Sequence, residues 1–348
     1  MNLPHSWHLP VNKLASVFAN TSATYKFYWF LAILELLEEG NVHIEKRKIF
    51  ARIISRSWYT VNYFHVSFGK QDLIQDSVKA ILKIENLKIH ENRSIINSVL
   101  ENTQNSETLK LLNHFDKNVP HWFISSWFSG NRNEIYSLSQ NLDHGCIYRL
   151  EKDSIEINPI WISYLQLNSK ILKDFCYWNL SLFLQKRNPN VPDIPNKISR
   201  TLTRNSLLKQ TNEYWKLVFT ELGSVDCIFT DKKLVFEEKK YALDHFIPHA
   251  FVSHDLIWNL IPIDKNFNSF KSDKLPLLDK HFDKFYALQK SAYEIVKNYN
   301  SKNKYLEEYL TIFPDLDGNS GFDYVRYKET IQPLITIAST NGFSYMKG

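Results

Sequence analysis

Leu243 to Pro276 reads LDHFIPHAFVSHDLIWNLIPIDKNFNSFKSDKLP, and this stretch decides what kind of fold the chain carries. Asp244-His245 ends an apolar run that fits a strand, and Leu260-Ile261-Pro262-Ile263 fits a second. Asn259 stands 14 residues after His245 and leads that second run. Asn268 lies nine residues further on, followed by Lys271-Ser272-Asp273-Lys274. A hairpin with a short helix brings these positions together around one hard divalent ion. Asp244 and Asn268 offer the oxygen ligands that Mg²⁺ prefers. His245 points to the opposite side of its strand from Asp244 and can take a proton from water beside the ion. Asn259 serves to hold the imidazole or the connecting loop in position.

Composition narrows the alternatives. The chain has 348 residues with 44% apolar and 23% charged content, enough for a buried core and against wholesale disorder. Glycine is scarce, at nine, while aromatic residues reach 14%. Gly69-Lys70 is the only Gly-Lys pair, and Phe64 stands where a phosphate-cradling loop needs its first glycine. No GxGxxG occurs either, so nucleotide-driven motors and common dinucleotide oxidoreductases are excluded. A net charge of +5 is compatible with a polyanionic partner without requiring one. Cys146, Cys176 and Cys227 form no CxxC pair and suit reduced cytosolic thiols. The apolar run Phe27 to Leu37 is too short for a membrane span, and no signal peptide is evident, so the expectation is a soluble cytoplasmic protein with no membrane partner.

Asp244-His245 with Pro248, Asn259 with Pro262, and Asn268 with Lys271-Ser272-Asp273 and Pro276 resemble the HNH (ββα-metal) endonuclease family, in particular the HNH domain of RNA-guided DNA nucleases. The wider chain also resembles stand-alone bacterial HNH endonucleases of anti-phage and restriction loci, through NTSATYKF at Asn20–Phe27 and FLQKRNPNVP at Phe183–Pro192. The resemblance implies that Asp244 and Asn268 bind the metal, His245 is the general base, Asn259 is structural and Lys271 lies near the phosphate. It implies Mg²⁺, with Mn²⁺ able to substitute, and hydrolysis of DNA to 5′-phosphate and 3′-hydroxyl ends, with RNA left open. A defence-system partner protein and a homodimer are compatible with it. Cys227 stands alone in CIFT, where many relatives carry a zinc-binding CxxC, so no structural zinc is expected and packing must hold the hairpin. The alternative from a different class is a non-catalytic nucleic-acid-binding or assembly protein with a relic motif.

Asp143-His144 is a second Asp-His pair with Asn158 at the same 14-residue spacing. Leu167 then replaces the second asparagine, and neither the proline nor Lys-Ser-Asp follows, so this pair reads as a loop. His249 and His254 read as loop residues rather than zinc or nickel ligands, and Trp258 as a packing anchor. Lys197, Arg200, Arg204 and Lys274 are candidate nucleic-acid contacts.

The expected fold class is α+β. Residues 1–188 form a mainly α-helical region for target or partner selection, with Ala23 to Glu39 as its all-round apolar spine. Pro189, Pro192 and Pro195 predict an extended connector over 189–198. Residues 199–280 form the ββα-metal nuclease module with a leading helix, and 281–348 a C-terminal helical cap.

Overall fold

Tyr25–Glu38 is apolar on nearly every side, and the helix it forms is buried on nearly every side, from Phe27 through Leu34 without a break. The chain leaves this helix at Gly40, whose φ of +88° is one that a side chain would resist. In the computed structural model, which describes residues 3–199, 206–316 and 321–347, the fold is α+β: mainly helical, with small antiparallel sheets. The chain divides into two units, Met1–Pro189 with Ile194–Leu202, and Asn190–Asp193 with Thr203–Gly348.

In the first unit the spine packs against helices Lys46–Asn62 and Ser169–Arg187. Glu35, near the end of the spine, is ringed by Arg52, Arg56 and Arg93. Burial pushes its carboxyl up, but the three guanidinium charges outweigh burial and hold it below the ordinary range. Strands β1 (His43–Glu45), β2 (Tyr148–Leu150) and β3 (Ser154–Ile157) form an antiparallel sheet in the order β1-β3-β2. The β2–β3 hairpin follows the alternation in the sequence, whereas β1 is too short to show a period of two. Pro159 opens a pair of helices, Pro159–Leu167 and Ser169–Arg187, separated at Asn168. Asp143-His144 lies in a 3₁₀ turn, and Asn158 caps the helix that follows, so this pair is a loop as read.

The extended connector is corrected along its whole length: residues 189–193 are turns and a bend, with Asp193 at a φ of +56°, and a helix follows from Ile194. Ile194–Ser199 is a helix in which Pro195 occupies the second position, where a missing N–H costs nothing. Ile194, Lys197 and Ile198 are buried, and the Lys197 carbonyl accepts a 3.0 Å hydrogen bond from the Thr60 hydroxyl. Period-three prolines here accompany tight turns and a helix start in place of an extended run.

In the second unit β4 (Val225–Asp226) pairs with β5 (Lys233–Leu234), and β6 (Tyr241–His245) with β7 (Leu260–Asp264). Helices Leu278–Tyr299 and Tyr324–Thr340 back the second hairpin. Gln289 donates to the carbonyls of Ile257 (3.3 Å) and Leu260 (2.8 Å), and the Tyr327 hydroxyl donates to that of Trp258. These bonds satisfy backbone groups that a buried strand edge would otherwise strand.

Two predictions concern the first unit. A fragment ending at Asn188 should melt at a lower temperature than one carried through Ser199, because it lacks the buried face of Ile194–Ser199; equal melting temperatures would contradict this. His121 is buried with no hydrogen-bond partner on Nδ1, and burial, aided by the Arg132 charge, lowers its pKa to about 4. The unfolded chain takes up that proton near pH ~6.5 and the folded chain does not. The stabilisation is therefore complete above about pH 6.5 and lost as pH falls toward 4. His121→Gln should flatten this part of the stability–pH curve; identical curves for both proteins would refute the assignment.

Candidate active site

The β6–β7 register sets Asp244 opposite Ile261 and His245 opposite Leu260. All of β7 is buried, as its continuous apolar sequence requires, so the hairpin forms a floor with Asp244 and His245 at the end of its outer strand. Beyond the paired residues the ladder is prolonged by one side chain. Phe246 N–H donates to the Asn259 carbonyl at 2.7 Å. The Asn259 carboxamide then pairs with the Ile247 backbone, accepting from its N–H at 2.8 Å and donating to its C=O at 2.9 Å. Asn259 is fully buried and acts as an extra ladder residue that closes the neck of the loop between the strands. Of the two roles read from the sequence, it takes the second and holds the loop.

Asp264 caps the helix Lys265–Lys271 by accepting from Phe267 N–H at 2.9 Å. The last residue of that helix, Lys271, is fully buried, and its ammonium donates 2.7 Å hydrogen bonds to Asp244 Oδ2 and to the His245 carbonyl. The resemblance sets Lys271 near the phosphate; here its side chain is buried against Asp244. It is an internal clamp, because a buried ammonium needs its acceptors inside the protein. Asn268 precedes Lys271 by three residues and so shares the helix face that meets Asp244.

His245 is held through one ring nitrogen. Nε2 lies 3.0 Å from Asp255 Oδ1 and 3.1 Å from the His254 carbonyl. For Asp255, burial raises the carboxyl pKa, but the His245 hydrogen bond and the charges of His245, His249 and His254 prevail, leaving it below the ordinary range. Both partners of Nε2 are then acceptors, so Nε2 is the nitrogen that donates. Nδ1 lies 4.0 Å from Asp244 Oδ1, an oxygen that accepts no hydrogen bond among the described residues. That carboxylate oxygen is a hard donor of the kind a divalent cation such as Mg²⁺ takes.

Asp255 is the site residue that the sequence reading missed. Its only signal was the His254-Asp255 pair inside the loop, which acquires meaning once the loop folds back on β6. His249 belongs to the same cluster: its Nε2 lies 3.9 Å from Asp255 Oδ1 and its ring packs edge-on to His245 at 5.2 Å. Trp258 is buried beside His254, as a packing anchor should be.

The candidate phosphate contacts fare differently from one another. Lys197 is buried, which removes it from any nucleic-acid surface in this conformation. Arg200 and Arg204 lie outside the described residues. Lys274 is half-buried; its ammonium donates to the Phe270 carbonyl at 2.9 Å and lies over the Phe270 ring.

Cys227 sits in the turn between β4 and β5. Its thiol accepts from Asp264 N–H at 3.4 Å, and the neighbouring Phe229 ring packs on Phe246, Phe267 and His281. In the first unit, His43, Glu151 and Glu156 approach one another closely enough to suggest a metal cluster. Arg149 pairs with both carboxylates there, which marks an ion-pair network on the sheet surface.

Residues 227–277 match the family model of the HNH endonuclease, and the segment is an HNH-family domain. The match begins at Cys227 and ends just after the Lys271-Ser272-Asp273 run. A search of curated proteins and of solved structures found no match to the chain. Among the described residues, no helix is long and apolar enough to cross a membrane.

Asn259→Ala should destabilise the second unit by about 2–4 kcal/mol, since it leaves a buried N–H and a buried C=O without partners. Urea unfolding followed by tryptophan fluorescence measures the loss; a change within error of zero would show that water or a shifted backbone replaces the carboxamide.

Proposed function

We propose that the HNH domain is a Mg²⁺-dependent endonuclease hydrolysing DNA phosphodiester bonds, with His245 as general base and Asp244 and Asn268 as metal ligands. The observation that carries this reading is the single-sided tethering of His245. Its Nε2–H is occupied by Asp255 and the His254 carbonyl, which leaves Nδ1 as the basic nitrogen on the Asp244 side.

Asp244 and Asn268 would hold a hard divalent cation, which would supply positive charge where charge builds up on the scissile phosphate. His245 Nδ1 accepts a proton from the attacking water as its oxygen bonds to phosphorus and the P–O bond to the 3′ oxygen breaks. The imidazolium so formed lies 3.0 Å from the Asp255 carboxylate, which stabilises it and keeps the ring from rotating. Lys271 fixes Asp244 by one oxygen and leaves the other for the cation. The departing 3′ oxygen leaves with the electron pair of the broken P–O bond and takes a proton from solvent, so the products are 5′-phosphate and 3′-hydroxyl ends.

For the biological role, the resemblance to nucleases of anti-phage and restriction loci supports a defence effector or restriction enzyme. The first unit then selects the target or receives a partner's signal.

Plasmid nicking by the purified full-length chain with Mg²⁺ or Mn²⁺ tests the reading. His245→Ala should lower the rate by about two to four orders of magnitude. Asp244→Ala and Asn268→Ala should abolish the metal-dependent reaction. Asp255→Asn keeps the size of the side chain and removes its charge, and should cost about ten- to a hundredfold in rate. Cleavage of DNA by His245→Ala at the wild-type rate would refute the assignment of the base. Complete inactivity of the wild type on DNA and RNA with either metal would favour the relic-motif reading.

A further inference from the structure

The helix Ser169–Arg187 is asymmetric. Leu172, Phe175, Cys176, Leu180 and Leu184 bury one side against the first unit's core. On the other side Asp174, Trp178, Leu182 and Lys186 are spaced four apart and are all exposed, Trp178 to 54% and Leu182 to 47%. Residues spaced by four form one surface ridge of an α-helix, the element that interlocks with a neighbouring helix. Asp174 and Lys186 make no ion pair among the described residues, although Lys173 beside them is paired with Glu38.

The order of residues along this ridge identifies an occupant. Read forward it is acid, tryptophan, leucine, base; a second copy laid antiparallel presents base, leucine, tryptophan, acid. We propose that this ridge is the contact surface of a reversible two-fold dimer of the chain. Trp178 of each copy packs on Leu182 of the other, and Asp174 pairs with Lys186 at both ends. A two-fold axis midway between Trp178 and Leu182 satisfies all four contacts at once, the self-complementarity an isologous interface requires. One helix pair covers less than the ~800 Å² per partner of a stable complex, so the dimer is weak, with a dissociation constant in about the micromolar range.

Sedimentation velocity of the full chain tests this without reference to nuclease activity, so its outcome is separate from that of the proposed chemistry. The wild type should pass reversibly from monomer to dimer as concentration rises. Asp174→Lys or Lys186→Asp each place like charges at both ends and should weaken association about tenfold. The double variant Asp174→Lys/Lys186→Asp restores opposite charges at both ends and should recover wild-type association. Trp178→Glu should leave a monomer with an unchanged circular dichroism spectrum. A chain monomeric at every attainable concentration would overturn the proposal and leave the ridge to a different protein. Association unmoved by the single charge reversals, or not restored by the double one, would also overturn it.

Discussion

The candidate site depends on a buried ammonium. Lys271 ends the motif helix inside the protein, where its charge is tolerated only because Asp244 and the His245 carbonyl accept from it. Those two acceptors come from adjacent residues of β6, so a single side chain ties the helix terminus to the strand end that bears Asp244 and His245. The arrangement is unforgiving in both directions. Without Asp244 the ammonium is a buried charge with one neutral acceptor; without Lys271 the carboxylate loses the bond that sets its orientation. The clamp also divides the labour of Asp244, one oxygen being committed to the fold and the other remaining open beside His245 Nδ1.

Around this clamp the domain is assembled from backbone groups satisfied by side chains. Asn259 continues the ladder where the chain has turned away, Asp264 caps the helix, and Gln289 reaches two carbonyls at the buried edge of β7. The 3₁₀ turn Ile257–Asn259 is served in the same way, with Glu308 accepting from Ile257 N–H. Buried polar groups with complete partners specify one geometry more sharply than apolar contact does, because a shifted alternative strands them. The first unit uses the same device, with Asn188 pairing with both the N–H and the C=O of Ser67, and adds a nearly all-apolar spine that ends in a charged knot at Glu35.

Much of this could be read from the sequence because the motif is local. Strand, neck asparagine, second strand and helix lie within Leu243–Pro276, and period and spacing reveal each of them. The spine helix was legible for a similar reason: a run apolar on all sides has nowhere to go but the core. What escaped depends on the fold around it. Asp255 meets His245 only after the intervening loop has closed. The inward bonds of Lys271 emerge only when the helix end is seen to be buried, and Lys197 looks like a surface charge until Ile194–Ser199 is seen to pack. Proline spacing misled at that segment because Pro195 falls at a helix start, where it is as well suited as in an extended chain. The strand His43–Glu45 is visible only through its pairing with Ser154–Ile157.

The turn that carries Cys227 has a thermal consequence. The ion pairs Lys232–Asp264 and Lys284–Asp231 hold this turn through exposed lysines. Phe229, by contrast, is seated by ring contacts with Phe246, Phe267 and His281, so the inner part of the grip on the turn is apolar. Apolar burial is entropic near room temperature and fades on cooling, unlike a hydrogen-bonded clamp. The domain is therefore fastened by two devices with opposite temperature responses. Its rim should loosen first in the cold, while the strand end bearing Asp244 and His245 stays pinned.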